Sequence, residues 1–135
     1  MSHHRAAILF DRLRAMELPP DSYAVFGSGP LAAHGLINEI GDLDVIVGET
    51  TWRRVERLGT IVMHGDDPVV ELDNGLSFGR SWAYGDVDIE RLIEDAEMIN
   101  GLPFVRLDAV VEYKRIAGRP KDLRHIGLVE SAGLV

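Results

Sequence analysis

The apolar positions of the chain recur first at helical spacing and then at extended spacing. An amphipathic stretch that stops before Pro19 predicts a first helix, and its apolar positions are Ile8, Leu9, Leu13 and Met16. Residues 23–26 (Tyr-Ala-Val-Phe) form an apolar run between turn residues, which predicts a buried strand. Residues 43–47 (Leu-Asp-Val-Ile-Val) are the most β-prone segment and predict a second strand.

The rest of the pattern continues the alternation of helices and strands. Between the first two strands, Ser28 begins a short helix that ends at Gly35. Asp73-Asn74-Gly75 predicts a hairpin turn, because Asn-Gly accepts positive φ values. The other predicted elements are a helix capped by Thr51 and closed by Gly59, strands at 60–64, 69–72 and 87–89, a helix at 91–99, and helices at 108–117 and from Pro120 onward. This order predicts an α/β (α+β) fold, in which helices, including C-terminal ones, pack against a mixed β-sheet.

Composition and charge narrow the classes of function. The 135 residues favour a single domain over residues 1–135. Its core, at about 22–130, is the stretch that the family resemblance described below implies. The net charge of −8 argues against an extended surface for duplex nucleic acid, and the absence of cysteine excludes disulfides and thiolate zinc sites. Because the N-terminal apolar run is too short to span a bilayer and is interrupted at Asp11, we expect a cytoplasmic protein without a membrane partner.

Asp42 and Asp44 lead into the second predicted strand. Residues two apart on a strand share a face, so both carboxylates are expected to project to the same side. Their mutual repulsion is relieved by a divalent cation, and Mg²⁺ binds through one or two carboxylates together with substrate phosphates. The simpler alternative is a strand that starts with two solvent-exposed acids.

A second acidic stretch offers a third carboxylate. Residues 86–90 (Asp-Val-Asp-Ile-Glu) alternate acid and apolar positions, as a half-exposed strand does. Asp88 is the preferred candidate because it is flanked by apolar residues, with Asp86 and Glu71 as alternatives. The same pattern is also typical of an ordinary edge strand.

Gly27-Ser28-Gly29 links a predicted strand to a predicted helix, a place where backbone N–H groups can approach phosphate. Turn and cap geometry alone would also account for these residues. Near the other end of the chain, residues 112–124 carry five Lys or Arg residues and two acids. Lys114 and Lys121 are candidates for contacting a polyphosphate, and the alternative is a solvated helix face.

The Gly-Ser turn followed by Asp42-Leu43-Asp44 resembles the signature of the polymerase-β-like nucleotidyltransferase superfamily. The later run from Tyr113 to Leu123 resembles the C-terminal part of AbiEii-like and related bacterial nucleotidyltransferases. The resemblance implies transfer of a nucleoside monophosphate from a nucleoside triphosphate to an acceptor hydroxyl. In such families Gly27 and Ser28 would hold the triphosphate, Asp42 and Asp44 would coordinate Mg²⁺, and Asp88 would hold a second ion.

Three hypotheses about function follow from this pattern. The leading one is a Mg²⁺-dependent nucleotidyltransferase with one or two ions, whose acceptor is a protein, an RNA or a small molecule. The second is a catalytically inactive module of the same fold, such as a toxin–antitoxin component, and the third is another enzyme that holds a metal–nucleotide through Asp-x-Asp. His64 and His125 lack partners at metal-ligand spacing, so no zinc site is predicted. His34 is expected to pack or to cap the short helix before Gly35. Trp82 and Tyr84 are candidates for stacking a base, and the oligomeric state stays open.

Overall fold

The computed structural model describes residues 4–80 and 88–135. Within these ranges seven strands form a mixed sheet in the order β5-β6-β7-β4-β2-β9-β8, and β1 pairs separately with β3. The strands are β1 (His4–Arg5), β2 (Tyr23–Val25), β3 (Glu39–Ile40), β4 (Leu43–Val47), β5 (Thr60–His64), β6 (Asp67–Glu71), β7 (Leu76–Gly79), β8 (Glu97–Ile99) and β9 (Leu102–Phe104). The helices are α1 (Ala6–Ala15), α2 (Gly29–Ala33), α3 (Glu49–Val55), α4 (Ile89–Glu94), α5 (Leu107–Ala117) and α6 (Pro120–Ser131).

Helices cover both faces of the centre of the sheet. β4 runs antiparallel to β2 and parallel to β7, and its buried residues divide between two apolar clusters. Val45 packs in a cluster with residues of α1 and α3, whereas Ile46 packs in a cluster with residues of α4, α5 and α6. Because side chains alternate along a strand, Asp44 faces the same side as Ile46, toward the C-terminal helices.

The predicted fold class is confirmed: the chain forms a mixed sheet with helices packed against it and two helices at its C-terminal end. The first helix, the two central strands, the hairpin at Asn74-Gly75 and the break at Gly118 all lie where the sequence predicted them. None of the helices in the described ranges is both long and apolar enough to cross a bilayer.

Two predicted helices differ from the structure, and the strand predicted at 87–89 gives way at Ile89 to the start of α4. The third helix begins after Gly48 rather than at Thr51, which lies buried in its first turn against Ser22. Residues 97–99, expected in a helix, form β8, which pairs antiparallel with β9. Asn100 and Gly101 between these strands both have positive φ values, 49° and 83°. Asn-Gly in this conformation makes a tight hairpin, so the turn outweighs the helical pattern before it.

Candidate functional site

The carboxylate of Asp44 lies directly against the turn that follows β2. The Phe26 N–H donates to the Asp44 carbonyl oxygen at 2.8 Å, which extends the pairing of β2 with β4 by one residue. Gly27 then turns with φ of +65°, and a Cβ at this position would lie 2.9 Å from Asp44 Oδ2. Glycine meets both conditions without strain, and the absence of a Cβ leaves room for the Asp44 carboxylate beside the turn.

The charge of Asp42 acts on the carboxyl group of Asp44. Asp42 is exposed just before β4, and Asp44 is partly buried within it. The pKa of Asp44 is raised from 3.8 to about 6, first by burial and then by the charge of Asp42. Lys121, Lys114 and Arg119 lower it, which places these three cations near the same carboxylate. Asp44 therefore carries a negative charge that the protein compensates only in part.

Ser28 lies close to charged side chains of the two C-terminal helices. Its hydroxyl is 3.5 Å from Lys114 Nζ, which reaches it from α5. The same ammonium forms an ion pair of 3.3 Å with Asp122 Oδ1 of α6. The side chains of Lys114 and Asp122 are only 2% and 0% exposed. Of the two lysines predicted to contact phosphate, Lys114 is thus buried beside Ser28, while Lys121 is exposed and acts on Asp44 through its charge.

Asp122 is held in place by the helix to which it belongs. Arg119 donates from its backbone N–H to Asp122 Oδ2 at 3.2 Å and from Nε to the same oxygen at 2.6 Å. Burial raises the pKa of Asp122, but the hydrogen bond from Arg119 and the charge of Lys114 outweigh it, so the pKa is lowered overall. The pKa of Lys114 is lowered, chiefly by its burial. The basic run of the sequence therefore includes one fixed anion that orients Lys114.

His125 belongs to the site although the sequence analysis assigned it no role. Its Nδ1 lies 3.4 Å from Ser28 Oγ, and the residue is 9% exposed. Burial and the charges of Lys114 and Lys121 lower its pKa from 6.5 to about 4. Metal-ligand spacing was the wrong signal to look for. His125 follows Asp122 by three residues on α6, which places both on one helix face.

The prediction that Asp88 lies in a strand beside Asp44 is wrong. Asp88 is not in a strand: it caps α4, and its Oδ1 accepts a hydrogen bond from the Arg91 N–H at 3.2 Å. Ile89 and Ile93 are buried at helical spacing, and this periodicity prevails over the alternating acids. Asp88 is exposed and lines a groove between α4 and α5 instead of joining Asp42 and Asp44.

The alternative third carboxylates do not complete a cluster either. Glu71 is aligned with Ser77, which is in turn aligned with Asp44, so a whole strand lies between the two acids, about 10 Å in backbone spacing. Asp86 lies outside the described residues, as do Trp82 and Tyr84. Within residues 4–80 and 88–135, no group of three or more His, Asp or Glu side chains is arranged to hold a metal ion.

The residues present fit one Mg²⁺ ion better than two. Two neighbouring carboxylates with additional ligands from phosphate are a sufficient donor set for Mg²⁺. Burial and the charge of Asp42 disfavour the ionised form of Asp44, and a bound cation would favour it. Lys114, the buried cation nearby, is already paired with Asp122.

Comparison with known proteins adds nothing to this geometry. No protein-family model, no curated protein and no solved structure matches the chain.

Proposed function

We propose that this protein is a Mg²⁺-dependent nucleotidyltransferase that moves a nucleoside monophosphate from a nucleoside triphosphate to a hydroxyl acceptor. The observation that carries the proposal is the setting of Asp44. Its carboxylate is partly buried against Gly27, has a pKa raised to about 6, and lies within the electrostatic reach of Asp42 on one side and of Lys114 and Lys121 on the other. Adjacent acids and cations are what a metal-bound triphosphate requires.

The described residues divide the work of binding. A Mg²⁺ ion held by Asp42 and Asp44 would supply charge neutralisation to the phosphate oxygens. The Gly27 turn lets the backbone approach the phosphates, and Ser28 and Lys114 contribute polar and cationic groups at fixed positions. Lys121, which is exposed, would meet the phosphates farther out. Because α2 has only five residues, its dipole contributes less here than the side chains do.

The transfer itself needs little covalent help from the protein. The acceptor oxygen forms a bond to the α-phosphorus, the bond from that phosphorus to the pyrophosphate oxygen breaks, and the hydroxyl proton passes to solvent. Catalysis of such a displacement comes mainly from alignment and from stabilisation of the developing charge. A buried, hydrogen-bonded Lys114 is suited to this role because it does not have to reorganise during the reaction.

Substitution of Asp44 tests the proposal. We expect the wild-type protein to bind ATP or another triphosphate only with Mg²⁺ present, and Asp44→Asn to abolish this binding and any transfer of an α-labelled nucleotide in cell extract. The matched control is Asp66→Asn, which removes the same charge from an exposed turn between β5 and β6. If the wild-type protein binds none of the common triphosphates at millimolar concentration with Mg²⁺, the proposal is wrong.

A second candidate is a catalytically inactive module that binds a nucleotide without transferring it, for instance as one component of a toxin–antitoxin pair. The observation in its favour is that the described residues supply two close carboxylates rather than three. This candidate predicts Mg²⁺-dependent binding that is lost in Asp44→Asn, with no labelled product from any triphosphate. The binding and transfer assays therefore separate the two candidates.

A further inference from the structure

His125 occupies a position in the site that the proposed chemistry leaves without a task. The imidazole projects from the second turn of α6 toward the N-terminal end of α2. Its Nδ1 lies 3.4 Å from Ser28 Oγ, the same oxygen to which Lys114 Nζ donates from 3.5 Å. Ser28 therefore has a cation on one side and a titratable ring on the other.

The charges around this ring are unbalanced in the absence of a ligand. Lys114 faces it from α5, and Lys121 and Arg124 face it from α6, with Asp122 as the anion that acts against them. Burial and these cations hold the pKa of His125 at about 4, so the ring is neutral at physiological pH. In the tautomer that carries its proton on Nε2, Nδ1 accepts a hydrogen bond from the Ser28 hydroxyl while Ser28 Oγ accepts one from Lys114.

We propose that His125 is a proton-linked positioning residue of the phosphate site, which takes up a proton from solvent when a polyphosphate binds beside Ser28. This inference rests on the proposed function, because it requires a polyphosphate at Ser28. Protonation turns Nδ1 into a donor and reverses its hydrogen bond to Ser28 Oγ. The Ser28 hydroxyl then donates its hydrogen bond to a phosphate oxygen instead of to His125.

The direction of the change follows from the charges. A bound polyphosphate places negative charge next to a ring that otherwise faces three cations and one anion. An opposite charge within a few ångströms favours the charged form and raises the pKa by about 2. The pKa of His125, about 4 without a ligand, would therefore rise in the complex. The pKa of Asp44 should fall on binding, because Mg²⁺ favours the ionised carboxylate. The pH dependence of binding therefore contains one contribution from His125 and an opposite one from Asp44.

Histidine ring signals in NMR spectra separate His125 from Asp44. The full chain is titrated with acid, first alone and then saturated with α,β-methylene ATP, a triphosphate that cannot be transferred, and Mg²⁺. We expect the midpoint of His125 to rise by about 2 pH units on binding. His64 is the internal control: it is exposed on β5, and its midpoint is expected to stay unchanged. The backbone amide signals of Gly27 and Ser28 report binding independently.

The outcomes distinguish the two proposals. If the amide signals of Gly27 and Ser28 shift with the analogue but the His125 midpoint does not rise, the proton linkage is refuted and the nucleotide site stands. If neither the amides nor the ring respond at millimolar analogue, both proposals fail together.

Affinity measurements on His125→Gln provide a second test, because glutamine stays neutral at every pH. Relative to this variant, the wild-type protein should bind the analogue about tenfold more tightly near pH 5 and about equally near pH 8. Asp44 is present in both proteins, so its contribution cancels in the ratio. A ratio that does not change with pH would overturn the inference.

Discussion

Lys114 and Asp122 form a buried ion pair between α5 and α6, with 3.3 Å between Nζ and Oδ1. The two residues do not depend on each other equally. Asp122 also accepts hydrogen bonds from Arg119, whereas the other polar contact of Lys114 is the distant hydroxyl of Ser28. Removing the anion therefore leaves a buried charge poorly compensated, and removing the cation does not.

This asymmetry predicts unequal effects on stability. Asp122→Asn should lower the free energy of unfolding by about 3–5 kcal/mol, because it leaves the Lys114 ammonium buried without an anion. Lys114→Met should cost only about 1 kcal/mol, because Asp122 keeps Arg119 and the buried charge is gone. Urea unfolding of both variants measures the difference, and the double variant should lose less than the sum of the two. Equal losses from the two single substitutions would contradict this account.

Asp44 should make the protein less stable as pH rises. Its folded pKa of about 6 exceeds its ordinary value of 3.8, so the folded state binds more protons than the unfolded state between these values. The free energy of unfolding should therefore fall as pH rises through this window, by about 3 kcal/mol at most. We expect Asp44→Asn to have a higher Tm than the wild type near pH 8 and no such advantage near pH 4.

Thermal unfolding at the two pH values, without Mg²⁺ or nucleotide, measures this effect. A variant that gains stability while losing Mg²⁺-dependent nucleotide binding identifies Asp44 as a residue kept for function at a cost in stability. If Tm depended on pH in the same way in both proteins, the pKa of Asp44 would not be raised in the folded state.

Two glycines with similar backbone geometry test the approach of Asp44 to the turn. Gly27 and Gly35 both have positive φ, but a Cβ at Gly35 meets nothing within 4 Å, whereas one at Gly27 meets Asp44 Oδ2. Each alanine substitution should cost about 1–2 kcal/mol through the left-handed backbone. Only Gly27→Ala should also weaken Mg²⁺–ATP binding, since it displaces the carboxylate. Equal binding by the two variants in equilibrium titrations would be evidence against the assigned geometry.

Asp88 should matter for stability and not for nucleotide binding. Asp88→Ala removes the cap of α4 and should lower the free energy of unfolding by about 1 kcal/mol. Asp88→Asn should be nearly neutral, because asparagine caps helices as well as aspartate does. Both variants should bind Mg²⁺–ATP as the wild type does. A loss of binding in the asparagine variant would return Asp88 to the metal site.

The site could be predicted from the sequence where local patterns determine it. The Gly27 turn and the acids flanking Leu43 belong to adjacent elements, and their proximity follows from strand pairing alone. Asp88 was misassigned because alternation over five residues describes a strand and a capped helix start equally well. His125 was missed because its partner Ser28 is 97 residues away, and only the packing of α6 against α2 brings them together.

The wide sequence separation of the site also affects how it forms. Ser28 contacts Lys114 and His125 across separations of 86 and 97 residues, so these contacts form only when the last two helices dock. Docking of distant segments is entropically costly and tends to occur late in folding. A bound polyphosphate would stabilise the docked position of these helices. Its clearest signature would be slowed amide hydrogen exchange in α6, a region that would otherwise open locally before the rest of the domain unfolds.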